Sequence, residues 1–236
     1  MTPSDRAIAR VAKELAERAS SLPVGARMPS EHQIMLRFAV TRSVARRAIQ
    51  TLVDEHLVRR TQGVGTFVHE RIDYEMSKDR TPSLHATIEA EGWSVRSLVI
   101  GWNRTRAPAP LVDHLGVNPV APMQSCERLV YMNDEPAVVT TEWFVDGVVD
   151  HMDVRLGVYE SIAAVFRDSG YQLRRKWARA GVGGAPEEVA QRLGLSTGAD
   201  TWVLESVNID ESTGRSLMCS RGHVRMDLIR VSCEFD

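Results

Sequence analysis

Met28-Pro29-Ser30-Glu31-His32-Gln33-Ile34-Met35-Leu36-Arg37-Phe38-Ala39-Val40-Thr41-Arg42-Ser43-Val44-Ala45-Arg46-Arg47-Ala48-Ile49, followed by Arg59-Arg60-Thr61-Gln62-Gly63-Val64-Gly65-Thr66-Phe67-Val68, decides how this chain is read. Ser30 behind Pro29 is a helix N-cap, and Ile34, Met35 and Phe38 give the helix one apolar face. Ala39-Val40 is a short connection, and Thr41 caps a second helix. Val44, Ala48, Ile49, Leu52 and Val53 form the inward stripe of that helix, which leaves Thr41, Arg42, Ser43, Arg46, Arg47 and Gln50 on its other faces. A helix that presents Thr, Arg and Ser from its first turns suits a DNA major groove: arginine can fork onto guanine, and hydroxyls can hold phosphates. Val58-Arg59-Arg60 and Thr66-Phe67-Val68 then predict two short strands around a turn at Gly63 and Gly65. The bland alternative makes Arg42, Arg46 and Arg47 the solvated face of a core helix. The order helix, turn, basic helix, Gly-rich hairpin favours a winged helix-turn-helix that binds duplex DNA.

Upstream, Pro3-Ser4 to about Ala19 predicts a first helix with Ile8, Val11, Ala12 and Leu15 inward, and Pro23 and Gly25 break the chain before the Ser30 cap. Charge is divided unevenly. Residues 1–70 carry 11 Lys and Arg against 7 Asp and Glu, so the rest carries 18 against 24. A basic head on an acidic body fits one nucleic-acid-binding end. At 236 residues, 43% apolar and 25% charged, the chain has the length and composition of two soluble domains. It holds no apolar run of membrane-spanning length and no secretory leader, which sets the expectation of a cytoplasmic protein with no membrane partner. Cys126, Cys219 and Cys233 form no C-x-x-C pair, so they predict buried small apolar residues rather than a disulfide framework or zinc site. The seven histidines are scattered. With no nucleophile elbow, P-loop or dinucleotide fingerprint, no catalytic set, metal or cofactor is expected.

The run Pro29-Ser30-Glu31, Phe38-Ala39-Val40-Thr41-Arg42, Arg46-Arg47-Ala48-Ile49, Leu52 and Arg59 to Val68 resembles the GntR-type bacterial transcription regulators over roughly the first 70 residues. That resemblance implies DNA contacts from Thr41, Arg42, Ser43 and Arg46, and a wing around Gln62, Gly63, Val64 and Gly65 that enters the minor groove. Ser30, Glu31, His32 and Arg47 complete the candidate DNA-binding set. The family often has arginine directly after the Ser-Glu pair, where this chain has His32.

Beyond the head, residues 70–80 predict a polar linker, in which Ile72, Tyr74 and Met76 alternate and could pair as an edge strand. The domain division expected is therefore 1–69, 70–80 and 81–236. Residues 81–117 and 159–195 repeat without a gap at an offset of 78, the distance from Gly92 to Gly170. The same offset pairs Ser83 with Ser161, Ala107-Pro108 with Ala185-Pro186, and Leu115-Gly116 with Leu193-Gly194. Each copy predicts helix, glycine stop, strand, and a short helix opened by Ala-Pro and closed by Leu-Gly, followed by a hairpin. Two such halves in one antiparallel sheet give an α+β domain with a ligand cleft at the pseudo-twofold junction.

This arrangement resembles the UTRA effector domain, which is chorismate-lyase-like, found behind GntR heads in the histidine-utilisation-repressor subgroup. Ile72-Asp73-Tyr74, Leu173-Arg174-Arg175 and Arg179 look most like regulators of phosphonate uptake and breakdown. On pattern alone, residues 171, 173, 175, 177 and 179 share a strand face, and an arginine there is either a snorkelling side chain or an anion clamp. The family's anion-binding positions match Ser83, Arg128 and Arg175, which favours the clamp. His85, Thr140 and Arg179 complete the candidate effector set. Some members carry a second arginine where this chain has Val130, an acid at Thr140 and a late tyrosine at Val224. Those departures fit an amino-sugar phosphate poorly and a smaller phosphate or phosphonate better. The expectation is a homodimeric, effector-gated repressor on a palindromic operator. Two alternatives are a DNA-binding dimer whose second domain only dimerises, and a sensor of a non-phosphorus acid such as urocanate or a fatty acid. An enzyme fused to a DNA reader is a third, without a visible catalytic set.

Overall fold

The computed structural model describes residues 2–69, 71–77, 80–118, 120 and 122–233, in two compact units, Met1–Arg71 and Ile72–Asp236. In the first unit, α1 (Pro3–Ser20) starts from a Thr2 capping box with Asp5 and buries Val11, Ala12, Leu15 and Ala19. These fall one turn apart, so a single face closes on α3 (Arg42–Asp54), which buries Val44, Ala45, Ala48, Ile49 and Leu52. Between them α2 (Glu31–Phe38) begins at the Ser30 cap and ends at Ala39 in the left-handed region. Strands β1 (Val58–Thr61) and β2 (Gly65–Val68) form an antiparallel hairpin whose Val58 and Val68 join the helical core.

The second unit carries a six-stranded antiparallel sheet in the order β4-β5-β6-β9-β8-β7. The two copies of the repeat are visible in it. Helix α4 (Leu84–Ala90) matches α7 (Ile162–Asp168), β4 (Val95–Thr105) matches β7 (Leu173–Gly184), and α5 (Ala109–Leu115) matches α8 (Glu187–Leu193). Ser83 and Ser161 cap the first helix of each copy, accepting from Ala86 and Ala164 amides, and Gly116 and Gly194 end the second in left-handed caps. Each copy closes with a hairpin, β5 (Met123–Met132) with β6 (Glu135–Phe144), and β8 (Asp200–Asp210) with β9 (Ser216–Arg225). The halves meet where β6 pairs with β9. Helices α5 and α8 cover one sheet face through Leu111, Val112, Leu115 and Leu193, while α4, α7 and the extra helix α6 (Met152–Tyr159) pack on the other.

Inside the stretch expected to be a linker, Ile72–Glu75 forms β3, which pairs in parallel with β10 (Ile229–Ser232). Ile72 and Ile229 are buried there, so burial rather than polarity governs those residues. Glu70, Lys78 and Asp79 of the expected linker lie outside the described residues. Among the described residues, no helix is long and apolar enough to cross a membrane. Cys126 and Cys219 are buried as expected, their thiols pushed up to about 12 by burial, but Cys233 is exposed. It directly follows the last strand, β10.

Candidate DNA-reading surface and effector cavity

On the head, α3 leaves Thr41, Arg42, Ser43, Arg46, Arg47 and Gln50 exposed while its opposite face is buried. The Thr41 hydroxyl accepts from the Val44 amide and Ser30 from the Gln33 amide, so both are already helix caps. Glu31 pairs with two arginines: its carboxylate takes Arg42 Nε at 3.3 Å and Arg60 Nη2 at 2.8 Å. It thereby holds one arginine of α3 beside one of the wing. The wing turn has Gly63 at φ +74°, and Arg27 donates to the Val64 carbonyl at 2.8 Å while bridging Phe67. A Cβ on Gly65 would stand 3.1 Å from Arg27 Nε, so the glycine permits that buttress. His32 is exposed and shares a surface groove with Arg18, Arg27, Ser30 and Arg37. Arg27 escaped sequence reading because its role depends on a backbone bridge to a strand forty residues away, which no local pattern signals.

In the second unit, the sheet and the starts of α4 and α7 enclose a cavity of about 140 Å³. That is small beside the roughly 300–1,000 Å³ of drug-sized sites. Ser83, His85, Arg128, Thr140 and Arg175 all line it, as do the apolar Val130, Val138, Leu204, Met218 and Val224. Arg179 does not. A bulge between Arg175 and Trp177 reverses the alternation of β7, so Arg175 and Arg179 do not share a face. Arg179 instead binds Glu205 from the side opposite Arg175, with Arg221 on the carboxylate's other oxygen. The shared-face expectation for 171–179 fails at that one inserted residue.

The two lining arginines differ. Arg128 Nη2 lies 2.7 Å from Glu142 Oε1, and its Nη1 donates to Ser97 Oγ at 2.7 Å. Burial alone would lower the Arg128 pKa; the Glu142 carboxylate more than offsets that and raises it. Arg175 is 8% exposed, donates to the Ser77 carbonyl at 2.9 Å and the Tyr74 hydroxyl at 2.8 Å, and forms no ion pair with a described carboxylate. Its Nε–H, together with His85 Nδ1 and Asn208 Oδ1, makes no hydrogen bond to the protein. Tyr74, Ser97, Glu142 and Asn208 were not foreseen as site residues. Asn208 and Glu142 sit in strands whose sequences mark burial but not which buried side chains converge. Among the described residues, no cluster of His, Cys, Asp or Glu could hold a metal ion.

Residues 5–68 match the model of the bacterial regulatory proteins of the gntR family, and residues 90–230 match the UTRA domain. The HTH-type transcriptional regulator GgaR of Escherichia coli K12 is 23% identical over 219 residues, covering 93% of this chain and 86% of that protein. The HTH-type transcriptional repressor NagR of Bacillus subtilis is 23% identical over 181 residues, covering 75% of this chain and 73% of NagR. The crystal structure of PhnF from Mycobacterium smegmatis superposes with a TM-score of 0.65 at 21% identity, covering 96% of this chain and 99% of that one, and so shares the fold. These relatives are transcription regulators by name, not enzymes. The chain belongs to the GntR family of bacterial transcription regulators, in the branch that carries a UTRA effector domain.

Proposed function

We propose that the chain is a cytoplasmic homodimeric repressor that reads a palindromic operator, and whose operator affinity changes when a phosphate or phosphonate occupies the cavity of the second unit. Arg175 carries this reading. A buried cation without a carboxylate is unfavourable by several kcal/mol unless an anion joins it. Ser83, His85 and Thr140 stand around the same space, and its small volume fits a small anion. A second arginine, Arg128, adds no net charge because Glu142 neutralises it.

Gating follows from what Arg175 holds. Tyr74 and Ser77 belong to the segment that begins the second unit, directly after the head in sequence. An anion that draws the guanidinium towards itself weakens or redirects those two bonds. A ligand of this kind needs to favour one arrangement by only ~1–3 kcal/mol to switch DNA binding. On the head, Thr41, Arg42, Ser43, Arg46 and Arg47 face the major groove, the Gln62-Gly63-Val64-Gly65 wing faces the minor groove, and two copies related by a twofold axis set the half-site spacing.

The test is thermal unfolding of the purified chain against phosphate, alkylphosphonates, sugar phosphates, urocanate and fatty acids. A ligand at 100-fold its dissociation constant adds ~2.7 kcal/mol of stability. A shift with phosphorus anions that Arg175→Ala removes is expected, together with a change in operator affinity measured by fluorescence anisotropy. Stabilisation only by apolar acids refutes the effector class. The internal Arg128–Glu142 pair favours a second reading, a unit that only dimerises; operator affinity unchanged by every stabilising ligand would establish it.

A further inference from the structure

We infer that the group seated between Arg175 and Asn208 carries its own proton: it accepts from Arg175 Nε–H and donates an O–H to Asn208 Oδ1. This rests on the reading of the cavity as an anion site. It narrows the ligand to a monoprotonated phosphorus oxyanion and rejects an anion of the same charge and shape that has no proton to give.

Arg175 and Asn208 are directly opposed across β7 and β8, and both line the cavity. Residues opposed in this way have Cβ atoms about 4.5–5.5 Å apart, so one ligand group can reach both side chains. Asn208 is 3% exposed and Arg175 8%, so neither side chain turns to bulk solvent. The Asn208 Nδ2 donates to Ser206 Oγ at 3.3 Å, and Ser206 Oγ lies 2.9 Å from Ser220 Oγ. Ser206 thus takes one of the two amide hydrogens, and Oδ1 makes no hydrogen bond to the protein. The lining side chains thus carry one unused donor, Arg175 Nε–H, and one unused acceptor, Asn208 Oδ1, both buried, beside the unpaired His85 Nδ1. A carboxylate, sulfonate or sulfate can answer the first only, and sets its lone pairs against the second. A P–OH group answers both.

The repeat gives independent support. At the 78-residue offset, Arg175 and Asn208 correspond to Ser97 and Val130, which are likewise opposed across β4 and β5. The scaffold therefore accepts an apolar side chain where Asn208 stands, and the buried amide is not a requirement of the fold.

Isothermal titration of the full chain with methylphosphonate and methanesulfonate tests this, at a pH where the phosphonate keeps one proton. Both are then tetrahedral methyl monoanions, and only the first has an O–H. Methylphosphonate is expected to bind about tenfold more tightly or better, the usual consequence of leaving a buried acceptor unanswered. Asn208→Ala should weaken methylphosphonate alone and bring the ratio close to one, while Arg175→Ala should weaken both. Equal affinities in the unmodified protein overturn the inference and leave the anion site standing. Binding of neither ligand overturns the anion site and the inference with it. The comparison on the unmodified chain needs no variant to fold.

Discussion

Replacing Glu142 with glutamine separates the two arginines of the cavity by their effect on stability. The Glu142 side chain is 3% exposed and that of Arg128 11%, and the guanidinium reaches the carboxylate through Nη2 at 2.7 Å and Nε at 3.3 Å. Glu142→Gln keeps the shape but removes the charge, leaving Arg128 buried without an anion. Breaking a buried pair on one side costs about 3–5 kcal/mol. For a unit of this size that lowers its melting temperature by roughly 6–20 °C. The same change gives the cavity a second uncompensated cation. A phosphate about 5 Å away gains about 3 kcal/mol from it at an effective dielectric constant of about 20. Urea unfolding with and without phosphate reads both effects: the variant should be markedly less stable alone and should recover more on adding phosphate than the unmodified chain does. Arg128→Met combined with Glu142→Leu should restore stability and abolish the extra phosphate response, because a packed apolar pair can replace a buried ionic one. A loss below about 1 kcal/mol for Glu142→Gln would show that the pair is hydrated and the burial argument wrong. Equal phosphate stabilisation of both proteins would show that the ligand does not sense this charge.

On the head, Arg42→Ala and Arg46→Ala should each cost about 1–3 kcal/mol on the operator and little on random duplex if they read bases. Fluorescence anisotropy distinguishes that from a uniform loss, which would assign them to phosphates. Gly63→Ala meets no neighbour, so its left-handed φ of +74° alone should destabilise the wing by about 1–2 kcal/mol; an unchanged urea midpoint for the head would contradict this. Asp210 accepts from Ser212, Thr213 and the Gln172 amide, which holds its pKa at about 2. Because that lies below the ~3.9 of an unfolded aspartate, its contribution is complete above about pH 5 and is lost as pH falls towards 2. The stability gap between the unmodified chain and Asp210→Asn should therefore close on acidification, and a gap independent of pH would refute it.

The head was legible because its signals are local. Ser30 and Thr41 cap the helices they were expected to cap, and the Val44-Ala48-Ile49-Leu52 stripe is the buried one. The repeat was legible for a different reason. Capping serines, Ala-Pro openings and Leu-Gly closings recur at one offset, and each marks a helix end whose backbone requirements few residues satisfy. What escaped was decided by tertiary pairing. Strands β3 and β10 lie at opposite ends of the second unit, and nothing within either segment announces a parallel partner. Arg179 escaped because alternation assumes a regular strand, and one bulged residue at Lys176 moves every later side chain to the other face. The pairing of Glu31 with Arg42 and Arg60 also joins residues that are 11 and 29 positions apart, which no local pattern signals.

The repeat also accounts for the different surroundings of the two lining arginines. On the first two strands of each copy an arginine and a serine stand in exchanged places: Ser97 with Arg128 in the first, and Arg175 with Ser206 in the second. In the first copy Glu142 opposes Cys126, and in the second the corresponding place, opposite Leu204, is Gly222. A carboxylate at 222 would match Glu142 by symmetry, but a Cβ there would stand 3.1 Å from both Cβ and Oγ1 of Thr140. Strands β6 and β9 meet at that point, with Thr140 directly opposite Gly222. Thr140 therefore lines the cavity and also crowds position 222, where a counterpart of Glu142 would stand. Arg128 is balanced by Glu142, whereas Arg175 pairs with no described carboxylate.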